Sequence, residues 1–148
     1  MCNPTCEFPD KEIASDLIPK GKADMIIAVE PMESLRYLPM LSPQGWLITN
    51  TTPYVNILNY PALEDVMKEI EKFPRHIALN ADQIAKDLGA ARSANMVILG
   101  AASPYLGITV EKIEQAITKI FNRKGEEVVD VNIKCFRAGK EFSEKYVE

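Results

Sequence analysis

The chain reads as an α/β domain: a Rossmann-like, mostly parallel sheet flanked by helices, with a helical C-terminal region. Three observations predict this. Short apolar runs of the kind buried on both faces of a parallel sheet recur at Ala23–Glu30, Trp46–Thr52 and His76–Leu79. Stretches of helical periodicity separate them. After the third run the pattern stays helical. A length of 148 residues suits one domain with a sizeable core. Residues 1–22 read as an irregular N-terminal segment and 23–148 as the domain itself.

Each element follows from local chemistry. Ala23–Glu30 (ADMIIAVE) is continuously apolar and ends in a charge. Met32–Leu41 reads as a helix with Pro31 in its first turn, where a missing N–H costs nothing, and Pro39 should end or distort it. Ser42–Gly45 reads as a turn, and the β-branched Trp46–Thr52 as a second strand. Leu63–Phe73 places Leu63, Val66, Met67, Ile70 and Phe73 on one helical face, and Pro74 stops it. After the strand His76–Leu79, Asn80 is placed to cap a helix with Gln83 as a capping-box partner, and Gly89 suits its left-handed end.

The C-terminal half carries less polar patterning. Ser93–Leu106 is small and apolar, which predicts a helix buried on most sides, with Gly100, Ala101 and Ala102 offering a close-packing face. Thr109 is placed to cap a helix whose stripe is Val110, Ile113, Ile117, Ile120 and Phe121. From Glu126 onward, Val128, Val131, Cys135, Phe136 and Phe142 lie among many charges, which predicts a long, partly exposed helix.

Composition narrows the function classes. The chain is 47% hydrophobic with a net charge of −4, which argues against disorder and supplies no basic face for nucleic acid. The first residues lack the basic start and apolar run of a secretory signal, and no apolar stretch approaches a membrane span. Three cysteines, an odd number without an export signal, suit a reducing compartment. The expected location is the cytoplasm.

Residues that could carry chemistry are few. In open parallel sheets, ligands and partners sit outside the carboxyl ends of the strands, which here places Glu30, Asn50 and Thr51 at the candidate crevice. Their plainer role is to cap helices and fix loops. A buried Asn95 would need hydrogen-bond partners and would lock the fold or a subunit contact. Cys2 and Cys6 form a CxxxC pair, but with only Cys135 left they cannot complete a zinc or iron–sulfur site. His76 is the one histidine and no GxSxG elbow accompanies it, so it reads as a strand-entry residue rather than a general base. No GxGxxG or GxxxxGK[ST] loop occurs, and Lys20–Gly21–Lys22 is a small basic loop most simply explained as solvated. The chain thus holds no self-contained active site and is expected to bind no cofactor and no metal.

The ordered series of segments resembles a known family. LIPKGKADMIIAVEPMESLRYLPMLSPQGWLITNT, ARSANMVILGAASPYLGIT and NRKGEEVVDVNIKCFRAGKE are together similar to the gamma-type domain of 2-oxoacid:ferredoxin oxidoreductases. The resemblance covers Ile13 to about Tyr146, and LIPKGKAD and EPMESLRYL are most similar to the indolepyruvate branch. It implies a subunit that supports coenzyme A-dependent oxidative decarboxylation of an arylpyruvate. Thiamine diphosphate, magnesium and 4Fe–4S clusters would belong to an alpha-type partner subunit, and ferredoxin would be reached through the complex. The alternative is a free-standing small-ligand-binding or regulatory domain. Family members usually open with a strand and a GxGGQG-like turn, where this sequence has MCNPTCEFPDKE, as in a truncated or divergent member. Without that unit, Ala23–Glu30 becomes an exposed edge, expected to be covered by another chain or by swapping, or by a homodimer in isolation.

Overall fold

A computed structural model describes residues 17–55 and 58–147. Its centre is a parallel sheet of β1 (Ala23–Ala28), β2 (Leu41–Asn50) and β3 (His76–Leu79), in that spatial order. The intervening helices are α1 (Pro31–Arg36), α2 (Leu63–Glu71) and α3 (Ala81–Asp87), followed by α4 (Ala94–Ala102), α5 (Val110–Phe121) and α6 (Glu126–Val147). The α/β class expected from the apolar runs is the one observed.

Alternation along the strands divides the core in two. Ile26, Ala28 and Leu47 face α1 and α2, meeting Val66 and Ile70. Ile48, Ile77 and Leu79 face the opposite way, meeting Ala85 of α3, Val97, Ile98 and Ala101 of α4, and Cys135 of α6. Helix α5 lies further out, packing Ile113 and Ile117 against Phe136. Central β2 therefore buries both faces, which is why its second half is apolar at successive positions.

The α4–α6 contact is the tightest in the fold. A Cβ on Gly100 would fall on the Phe136 carbonyl, with the Lys140 amide 2.9 Å away, and a Cβ on Gly139 would fall on the Val97 carbonyl. Each glycine thus notches one helix for the backbone of the other. The close-packing face expected on α4 is present, and Gly139 is its counterpart.

Several boundaries differ from the sequence reading. The helix expected over Met32–Leu41 ends at Arg36 and is followed by a single 3₁₀ turn, Leu38–Met40. Pro39 explains this, since its ring cannot continue an α-helical ladder. The turn expected at Ser42–Gly45 lies within β2, where pairing jumps from Ala23↔Leu41 to Met25↔Trp46. It is an irregular bulge, and Gly45 fits there because a Cβ would stand 2.9 Å from the Ala23 carbonyl oxygen. The first strand ends at Ala28, two residues early.

The caps are mixed. Asn80 accepts from the Gln83 amide at 2.9 Å, but the Gln83 side chain turns to Asp87 instead of closing a box. Gly89, at φ +71°, ends α3 with Ala90 N–H bonded to Ala85 O and Gly89 N–H to Lys86 O, the paired Schellman pattern. Thr109 occupies the N-cap position of α5 without a side-chain cap bond; it caps through its backbone carbonyl, which accepts from the Lys112 amide at 3.1 Å and the Ile113 amide at 3.2 Å. Ile120, in the last turn of α5, is exposed rather than part of the buried stripe.

Candidate functional site

The carboxyl ends of β1 and β2 lie side by side, because Ala28 pairs with Thr49. Just beyond them stand Glu30, Asn50 and Thr51. Glu30 leaves the strand in an extended conformation (φ −142°, ψ 130°), the geometry of an N-cap. Its Oε2 accepts from the Glu33 amide at 2.8 Å and so caps α1. Its Oε1 accepts from the Tyr60 hydroxyl and from the Tyr54 amide. One carboxylate therefore joins α1 to both flanks of the loop between β2 and α2.

Tyr60 pays for this position in acidity. Partial burial, then its bond to the Glu30 carboxylate and that group's charge, push the phenol up to about 12. All three causes disfavour a phenolate beside an anion. The pair is thus a neutral donor held on a carboxylate.

Asn50 is 4% exposed and nearly saturated. Its Nδ2 donates to Val29 O at 3.2 Å and to Asp82 Oδ2 at 2.6 Å, while its Oδ1 accepts from the Ala81 amide at 3.0 Å. It clamps the end of β1 to the first turn of α3 across β2. Thr51 contributes its backbone, donating to Leu79 O at 3.0 Å. Next to it, the Thr52 hydroxyl bonds Asn80 Oδ1 at 3.2 Å.

The structure thus brings Glu30, Asn50 and Thr51 to one end of the sheet. Asn95 does not join them. It lies in the first turn of α4 and is exposed, contrary to the buried position expected. Helical geometry gives the reason: two residues before Val97, it points roughly 160° around the helix from that core side chain. Tyr60 and Asp82 are members of the cluster that the sequence reading missed. A first-turn Asp after an Asn cap is a signal that could have singled out Asp82, whereas a lone loop tyrosine carries none.

Other candidates lie elsewhere. His76 opens β3, at the amino end of the sheet, opposite the cluster. Its Nδ1 faces Phe73 O at 2.5 Å and its Nε2 the Tyr146 hydroxyl at 3.1 Å, so it ties α6 to the sheet. Burial pushes the Cys135 thiol up, away from reactive thiolate. Lys20 and Lys22 are exposed around Gly21, whose amide bonds Pro39 O. Cys2 and Cys6 lie outside the described residues. Among the described residues, no group of three or more His, Cys, Asp or Glu side chains could hold a metal, and no helix is long and apolar enough to cross a membrane.

One surface beside the cluster is open. Among the described residues β1 pairs only with β2, and Ile27 and Val29 are 43% and 62% exposed. Tyr54, Val55 and Leu58 of the adjoining loop are exposed as well. Runs of large apolar side chains left in water in this way mark association surfaces.

Comparison with known proteins places this arrangement. Residues 3–142 match the pyruvate ferredoxin/flavodoxin oxidoreductase family. The chain belongs to that family. Within the pyruvate ferredoxin/flavodoxin oxidoreductase family it is similar to indolepyruvate oxidoreductase subunit IorB of Methanothermobacter thermautotrophicus, at 35% identity over 86% of this chain and 68% of that protein. The corresponding subunit of Archaeoglobus fulgidus is 33% identical over 86% of this chain and 67% of its own length. The chain therefore spans about two thirds of these relatives. A solved 2-oxoglutarate:ferredoxin oxidoreductase from Magnetococcus marinus shares the fold, with a TM-score of 0.60 at 24% identity over 87% of this chain and 21% of that one. The family resemblance read from the three sequence segments is thereby met.

Proposed function

We propose that this chain is a non-catalytic subunit of an indolepyruvate-type 2-oxoacid:ferredoxin oxidoreductase. The observation that carries the reading is the 30–35% identity to four IorB subunits over 86–87% of the chain. In the proposed complex an alpha-type partner holds thiamine diphosphate, magnesium and 4Fe–4S clusters, decarboxylates an arylpyruvate, passes the acyl group to coenzyme A and sends electrons to ferredoxin. The complex works in the cytoplasm. Residues 23–148 form the domain that docks on the partner, with 1–22 leading into it.

The site residues fit supporting roles. The side chains of Glu30 and Asn50 spend their hydrogen bonds on the chain itself, and Thr51 joins through its backbone amide, so we read the three as shaping the strand-end surface. Asn95 is free to face a neighbouring subunit. The open β1 edge and the apolar loop beside it are where the partner packs, because an unpaired edge in a finished assembly invites aggregation. In isolation the same edge would draw two copies into a homodimer.

The test is co-expression with the neighbouring genes. A tagged chain should bring down a thiamine-binding subunit in fixed ratio. The purified complex should reduce a viologen acceptor with indolepyruvate and coenzyme A, and more slowly with pyruvate or 2-oxoglutarate. A tagged chain that emerges alone sinks the subunit reading, and a complex that prefers 2-oxoglutarate sinks only the substrate.

A further inference from the structure

We draw no further inference here: the strongest candidate, the exposed apolar side chains of Ile27 in β1, Val29 just beyond it, and Tyr54, Val55 and Leu58 of the loop between β2 and α2, already serves the subunit reading, and nothing in the structure shows what covers it.

Discussion

Between α4 and α6 backbone lies against backbone, with Gly100 and Gly139 each making room for the other helix. At β1, by contrast, one side of the strand has no partner among the described residues, and Ile27 and Val29 face outward. Both regions are apolar, so hydrophobicity alone does not separate them. The difference is whether the complementary surface lies among the described residues. The helix pair completes its own contact and holds the fold, while the outer side of β1 is left unpaired among the described residues. Substitutions in the first should therefore be felt in stability, and substitutions in the second in association.

The largest effect is expected at the helix pair. Gly139→Leu forces a side chain onto the Val97 backbone, which has no flexible end to move aside. It should cost about 3 kcal/mol or more, roughly 10 °C in Tm. A thermal scan that leaves the midpoint within a degree of the parent would show that the helices part easily and would break the comparison.

Asn50 comes next. Asn50→Ala strands the Ala81 amide, the Val29 carbonyl and the Asp82 carboxylate, and should remove about 2 kcal/mol in urea unfolding, within the range for leaving buried polar groups unpaired. An unchanged urea midpoint would mean that water replaces the clamp.

Tyr60→Phe should cost about 1 kcal/mol near neutrality, the worth of an ordinary hydrogen bond. It also carries a pH signature. A phenol whose folded value is raised contributes stability in full below its unfolded value near 10, and that stability is lost as pH rises through about 12. Ultraviolet titration should therefore show a late tyrosine step near pH 12 that Tyr60→Phe removes. A titration curve of the same shape in the variant would unseat the Glu30 contact.

The smallest effect on folding, and the sharpest test of the contrast, is expected at the edge. Val29→Asp with Leu58→Ser should change stability by no more than about 0.5 kcal/mol, since both side chains are exposed. The same double variant should weaken capture of the partner subunit about tenfold or more, and should shift the isolated chain toward monomer in light scattering. Unaltered capture would place the interface elsewhere.

How much of this was legible depended on how local the signal was. The three strands and the amphipathic helices α2 and α5 follow from periodicity within a few residues. His76–Leu79 coincides with its predicted run. The left-handed Gly89 also rests on local chemistry. The bulge at Ser42–Gly45 did not, because a turn and a bulge use the same residues and only pairing with Ala23 and Met25 distinguishes them. Asn95 was misplaced because α4 is apolar almost all round, so its sequence does not say which side faces out. At the strand ends, Glu30 and Asn50 could be singled out by position, but not Tyr60, which reaches Glu30 from the far flank of a loop. Gly139 was overlooked for a similar reason, as its need for a bare backbone is set by Val97 on another helix.

The reciprocal glycine contact also bears on how the chain is made. Synthesis runs from the N-terminus, and α6 follows every strand and every other helix. Until it emerges, Val97, Ile98 and Ala101 lack the helix that lies over α4, and the growing chain carries an apolar groove into the crowded space outside the ribosome. The contact that notches α4 against α6 therefore closes only once almost the last of the described residues have been made.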